Sequence, residues 1–151
     1  MFFSFFFVMR ILGIDYGCKR TGIATTDPLQ IIATGLETVA TTDVESWLDR
    51  YMRVENVERI VVGRPLHLNG SESEMMVNHI EPFISRLKKK YPSVIIETFD
   101  ERYTSKMASN VMIEGGMKKK DRREKTKIDK ISANILLQNF LEKITFERKK
   151  I

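Results

Sequence analysis

Three places in the chain offer carboxylates where a purely structural residue is more often apolar. Asp15 directly follows the apolar run Ile11-Leu12-Gly13-Ile14. Asp100 and Glu101 directly follow the β-rich stretch Val94–Phe99, and Asp129 stands amid the apolar positions of the last helical segment. A carboxylate at the end of a core strand is costly to desolvate unless a cation or donors meet it. Gathered together, such groups repel one another unless divalent cations are bound. Mg²⁺ takes hard oxygen ligands and leaves positions for water and phosphate. Two ions about 3.5–4 Å apart activate a water and stabilise the leaving oxygen of a phosphodiester. Plainer readings stand beside this one. Asp15 could merely accept turn hydrogen bonds, and Asp129 could simply complement its helix dipole.

Bases accompany the acids. Gly17 and Gly22 bracket a turn that carries Lys19 and Arg20, so an acid, two glycines and two bases fall within eight residues. That set suits a phosphate-bearing substrate held near a metal. Further along, Lys118, Lys119, Lys120, Arg122, Arg123, Lys125 and Lys127 make seven of the ten residues 118–127 basic. No apolar residue anchors this run, which reads as a loop. It is either a solvated linker or an arm that grips phosphates, and the acid clusters elsewhere favour the arm.

The elements that must position these groups follow from periodicity. Ile11–Ile14, Ile23–Thr26 and Ile31–Val39 read as three strands joined by short turns, most economically an antiparallel meander. Val44, Trp47, Leu48, Tyr51 and Met52 define an amphipathic helix after a cap at Thr42-Asp43, with Trp47 in the core. Ile60–Gly63 is the continuous apolar run of a buried parallel strand. A loop over 64–73 carries Asn69-Gly70, and Ser71 with Glu74 forms a capping box for the next helix. Met76, Ile80, Phe83, Ile84 and Leu87 supply its apolar stripe. Lys88-Lys89-Lys90 closes it at the negative end of its dipole. Val94–Phe99 reads as the fifth strand, and a short helix runs from Thr104 or Ser105 to about Ile113. The final helix spans Ile128–Ile144, its stripe being Ala133, Leu136, Leu137, Phe140, Leu141 and Ile144. At about 100° per residue, Asp129 projects within roughly 20° of Phe140. If the first and fourth strands are parallel neighbours, the ends of strands one and five, with the loop after strand four, can lie on one edge. The sharper reading of Asp129 is that the last helix packs its first turn beside Asp15 and presents a further metal ligand.

Composition narrows the classes. The chain has 151 residues, 42% of them hydrophobic, enough for one domain with a substantial core. A net charge of +5 leans toward a polyanionic partner. One cysteine, Cys18, permits no internal disulfide, and His67 and His79 are the only histidines, so zinc spacing is absent. Cys18 reads as filler rather than a nucleophile. This usage fits a reducing cytoplasm. Residues 1–8 are apolar but lack a basic flank and are too short to span a bilayer. They read as an N-terminal extension, followed by one domain over 9–145 and a basic tail over 146–151.

At this point the chain resembles a known family. Gly13-Ile14-Asp15-Tyr16-Gly17 with Arg20-Thr21-Gly22, and Val62-Gly63-Arg64-Pro65-Leu66 with Asn69-Gly70-Ser71, are similar to motifs of the YqgF (RuvX) family. So are Asp100-Glu101-Arg102-Tyr103-Thr104-Ser105 and Lys127-Ile128-Asp129-Lys130-Ile131-Ser132-Ala133. The resemblance covers roughly Met9–Leu141. It implies an α/β, ribonuclease H-like fold: a five-stranded mixed sheet, three antiparallel strands then parallel ones, flanked by helices. It also implies a Mg²⁺- or Mn²⁺-dependent nuclease with two ions. The substrate implied is structured RNA at the 5′ end of pre-16S rRNA, with ribosome association. The alternatives are a Holliday-junction resolvase acting on branched DNA, or a non-catalytic RNA-binding module. No membrane partner is implied. The catalytic triad carried over is Asp15, Glu101 and Asp129. Asp100 is a further metal-ligand candidate, because neighbouring strand residues point to opposite faces and the sequence does not say which faces inward. Lys19, Arg20 and Arg102 join the basic run as nucleic-acid contacts, although Arg102 could equally separate the acids as an ion pair. Arg64 and Tyr103 depart from the family's usual apolar residue and leucine.

Overall fold

Strand β1 (Arg10–Tyr16) runs through the middle of a five-stranded sheet. It pairs antiparallel with β2 (Arg20–Thr26) and parallel with β4 (Val57–Arg64). β3 (Ala33–Ala40) lies antiparallel outside β2, and β5 (Ile95–Asp100) parallel outside β4, giving the order β3-β2-β1-β4-β5. This is the meander followed by parallel strands that the sequence predicts. The computed structural model describes residues 9–67, 69–100 and 125–149.

Both faces of β1 are covered, which explains its unbroken apolar run. Leu12 and Ile14 point to one layer and join Ile23, Ile60, Val62 and Ile96 beneath two helices. These are α1 (Val44–Val54), which contributes Val44 and Leu48, and α2 (Glu81–Lys90), which contributes Phe83, Ile84 and Leu87. A π-helical turn, Met76–Ile80, leads into α2 and buries both its terminal residues. On the opposite face Ile11, Ala24, Ala33 and Val61 pack against Ala133, Leu137, Phe140 and Leu141 of the long helix α3 (Lys125–Lys149).

Several local expectations shift. β2 begins at Arg20, so Arg20 belongs to a strand rather than to the turn, which shrinks to residues 17–19. Ser71 does not cap the α2 segment; its hydroxyl and amide both bond Asn69 Oδ1. Ser73 does the capping, its Oγ accepting from Met76 N at 3.1 Å. The end of the basic run, Lys125 to Lys127, is helical rather than loop, so α3 starts three residues earlier than predicted. Trp47 is half-buried. It stacks on Tyr51 at 4.9 Å and donates from Nε1 to Glu37 at 2.7 Å, which gives it a structural task. Within the lysine triplet, Lys90 also bridges to Asp49 of α1 at 2.7 Å. The predicted short helix at 104–113 and the extension at 1–8 lie outside the described residues.

The turn between β2 and β3 is organised by Asp27. Its carboxylate accepts from the amides of Ile31 and Ile32 at 2.7 Å each and of Leu29 at 3.1 Å. Partial burial pushes this carboxyl up, but those amides together outweigh it and hold the group below its ordinary value. A depressed folded value means stabilisation that is present above the ordinary aspartate value and lost as pH falls through the folded one. Urea titrations of the parent and Asp27→Asn should therefore differ most near neutral pH. The gap should narrow below the ordinary value of 3.8.

α3 sits close to the sheet because glycines lie beneath it. A Cβ on Gly22 would fall 2.2 Å from the carbonyl oxygen of Asp129, and one on Gly13 would fall 2.9 Å from Leu137 Cβ. The first clash is with backbone and cannot be relieved by a rotamer change. Gly22→Ala should cost about 3 kcal/mol in chemical denaturation, and Gly13→Ala about 1 kcal/mol.

Candidate active site

The register of β1 and β2 sets Asp15 directly opposite Gly22. Alternation along β1 puts Ile11, Gly13 and Asp15 on the α3 face, because Ile11 packs in the α3 core and Gly13 abuts Leu137. The backbone of Asp129 lies on Gly22. Asp15 and Asp129, separated by more than a hundred residues, therefore approach the same glycine from a neighbouring strand and from the helix above.

Arg20 is the next residue of β2 on that face. Its Nε donates to Asp129 Oδ2 at 3.3 Å. The two side chains are 36% and 27% exposed, so the pair is neither sealed nor free in solvent. An ion pair of that exposure contributes about 0–1 kcal/mol. The site stays open enough for an incoming cation or phosphate to compete for either partner.

Thr41 fixes the turn that carries Lys19. Its hydroxyl donates to the Gly17 carbonyl at 2.6 Å and lies 2.9 Å from Thr21 Oγ1, while its amide donates to the Lys19 carbonyl at 3.0 Å. Nothing in the local sequence pattern points to this role. The sequence reads Thr42-Asp43 as a cap, and Asp43, the residue before α1, makes no side-chain capping bond. Lys19 and Cys18 are exposed in the same turn, with Cys18 Sγ 3.3 Å from Met75 Sδ. His67 and His79 are both exposed.

β5 resolves the parity of Asp100. Phe99 packs edge-on against Phe140 of α3, centroids 5.9 Å apart, so Phe99 faces α3. Asp100 pairs in register with Arg64, two residues beyond the buried Val62 of the α1–α2 layer. Alternation therefore assigns Asp100 to the face opposite Asp15, where it is exposed. Arg64 on that face bonds Glu72. Glu101, Arg102, Lys118, Lys119, Lys120, Arg122 and Arg123 lie outside the described residues, and Lys125 and Lys127 fall in the first turn of α3. Among the described residues no group of three or more His, Cys, Asp and Glu side chains gathers around one point. Asp15 and Asp129 are the two that the fold brings together.

Two concavities of about 430 and 460 Å³ lie along α1 and β3, both lined by Glu37, Trp47 and Arg50. They lie on the α1 side of the sheet, and neither includes Asp15 or Asp129. A polymer backbone needs an open edge rather than an enclosed cavity, so their distance from the carboxylates carries no objection. No described helix is long and apolar enough to cross a membrane.

The family model described as "RuvX: Holliday junction resolvase" matches residues 9–143. A Phocaeicola vulgatus protein named "Putative pre-16S rRNA nuclease" is 53% identical over 133 residues, covering 88% of this chain and 95% of its own. A Bacteroides thetaiotaomicron protein of the same name is 50% identical over 137 residues, covering 91% and 99%. Among solved structures, the fowlpox virus resolvase in complex with Holliday junction DNA superposes with a TM-score of 0.57 at 16% identity, covering 90% of this chain and 99% of that one. The T. thermophilus RuvC complex gives 0.54 at 17% identity, covering 91% and 96%. At such identities these two likenesses establish the shared ribonuclease H-like fold. The match along residues 9–143 and the half-identical relatives establish the family: this chain belongs to the RuvX family.

Proposed function

We propose that this chain is a metal-dependent nuclease that hydrolyses phosphodiester bonds in structured RNA, in maturation of the 5′ end of pre-16S rRNA. One observation carries the catalytic reading: Asp129 is seated over Gly22, whose strand partner is Asp15. Two hard oxygen donors on rigid elements at an open sheet edge fit Mg²⁺ or Mn²⁺. Glu101 completes the set. Asp100 falls on the opposite face, which favours Glu101 of the two adjacent carboxylates. Asp15, Glu101 and Asp129 would hold the metal, as two ions. When bound, the metal supplies a Lewis acid that polarises the scissile phosphodiester.

The chain's own groups do the rest. β1 and α3 hold Asp15 and Asp129 on hydrogen-bonded backbone, so their carboxylates need little reorganisation to meet substrate. Lys19 and Arg20 flank the pair as phosphate contacts. Arg102 and the basic run 118–127 extend the positive surface along the polymer. The choice of RNA rests on the pre-16S name carried by relatives of about half identity. The second reading, cleavage of branched DNA, is favoured by the description of the matching family model and by the junction-bound structural neighbours.

Cleavage assays with pre-16S 5′ RNA and with a four-way DNA junction discriminate these readings. Asp15→Asn should lower metal-dependent cleavage of the true substrate by about 100-fold or more, with unchanged melting and equal or tighter binding. A variant that cuts as well as the parent removes Asp15 from the site. Cleavage of neither substrate, with intact RNA binding, leaves the non-catalytic module.

Neutralising the seven bases of 118–127 should weaken nucleic-acid binding uniformly across sequences. For a single-stranded substrate, the slope of log affinity against log salt should flatten by about 0.7 for each phosphate that is no longer neutralised. An unchanged slope assigns the run to a solvated linker.

A further inference from the structure

We propose that Arg20 is a resident counter-charge for Asp129: it competes with the catalytic cation for that carboxylate and is released toward substrate phosphate when the cation binds. The inference rests on the metal-site reading above and deepens it.

Three observations support it. First, the fold leaves the two acids little freedom to separate. The Asp129 backbone is pressed on Gly22, and Asp15 is fixed opposite Gly22 by the β1–β2 ladder. Carboxylates brought onto one stretch of sheet face favour a cation beside them. Second, Arg20 shares the sheet face of Gly22 and reaches Asp129 Oδ2 through Nε at 3.3 Å. This is a longer and less directional contact than the forked guanidinium–carboxylate pairing. It holds charge in place without saturating the acid. Third, both partners keep about a third of their surface in solvent, 36% for Arg20 and 27% for Asp129. An incoming divalent ion can reach the carboxylate without unfolding anything. A guanidinium cannot lose its proton in a protein, so the exchange must be a displacement of one cation by another.

Charges near the pair are consistent with this role. Lys19 is exposed in the adjoining turn, and Lys130 follows Asp129 with its side chain directed over Gly35 of β3. Arg20 touches the Asp129 carboxylate directly.

Exchange and scaffolding predict opposite signs. If Arg20 holds Asp129 in a productive position, its removal weakens metal binding. If Arg20 competes, its removal strengthens it. Mn²⁺ titration calorimetry on the parent, Arg20→Gln, Arg20→Lys and Asp129→Asn separates the two. Thermal melts with and without Mn²⁺ accompany it. Competition predicts that Arg20→Gln binds Mn²⁺ up to about fivefold tighter, melts lower than the parent without metal, and gains more from Mn²⁺. Arg20→Lys keeps the charge and should bind Mn²⁺ within about twofold of the parent. Equal or weaker Mn²⁺ binding by Arg20→Gln overturns the proposal. If Arg20→Gln does not fold, an Arg20→Lys variant that binds Mn²⁺ tenfold more weakly overturns it instead. Abolition of Mn²⁺ binding in Asp129→Asn shows the metal site itself to be sound, so that failure at Arg20 then counts against the exchange alone. A parent that takes up no Mn²⁺ overturns both.

Discussion

The contact on which this structure depends is the approach of one helix backbone to one bare strand position. Gly22 offers no side chain, and the carbonyl of Asp129 occupies the space that a Cβ would fill. The neighbouring ground is also small. Gly13, Ala24, Ala33 and Gly35 lie under α3 with Ala133 facing them from the helix, while bulk is reserved for Val61, Phe99 and Phe140 farther along. Close packing against small residues trades area per side chain for a fixed short separation. That separation is what a pair of carboxylates from two elements requires. The hydrophobic stripe Ala133, Leu137, Phe140 and Leu141 supplies the attraction, and the glycines determine how close it brings the acids.

Much of this is legible in the sequence, for identifiable reasons. The two-sided burial of β1 and β4 appears as unbroken apolar runs, and the stripes of α2 and α3 repeat at helical spacing. Those signals are local and redundant, so element type and order follow from them. What the sequence does not convey is set by single hydrogen bonds between near-equivalent residues. Ser71 and Ser73 are both plausible caps; Asn69 takes the first, leaving the second for Met76. β2 starts as early as Arg20 because Thr41 pins the turn from a distant segment, and no local pattern carries that information. The small residues at 13, 22, 24, 33 and 35 are a usable signal for the close helix face. Their alternation along three strands marks one side of the sheet.

Charge is distributed in two ways across the molecule. On the α1–α2 side, bases are tied to acids on neighbouring elements: Arg86 to Glu45, Lys90 to Asp49, and Arg64 to Glu72. Lys90 holds the Asp49 carboxyl below its ordinary value, and Tyr91, which also donates to it, adds to the effect. These contacts join helices and loops to one another. On the α3 side, Arg20 leans on a carboxylate that has no second helix to join. The α3 side carries a structural pair as well, Arg59 with Glu97 across β4 and β5, so Arg20 differs from the other bases in its place beside the candidate site rather than in its face.

Strand parity links the fold to the proposed chemistry. A sheet residue can reach Asp15 only from the α3 face, since the other face is filled by Leu12, Ile14 and the helices above them. Phe99 uses the α3 face of β5 to meet Phe140, and that contact commits Asp100 to the other side. A one-residue slip of β5 would reverse the assignment and would also expose Phe99 and strand Arg59 away from Glu97, its partner across the β4–β5 pair. The packing of an aromatic ring therefore turns Asp100 away from the face of Asp15. The face that Asp100 takes, invisible to composition and to motif spacing, follows from the hydrophobic register of the strand that it ends.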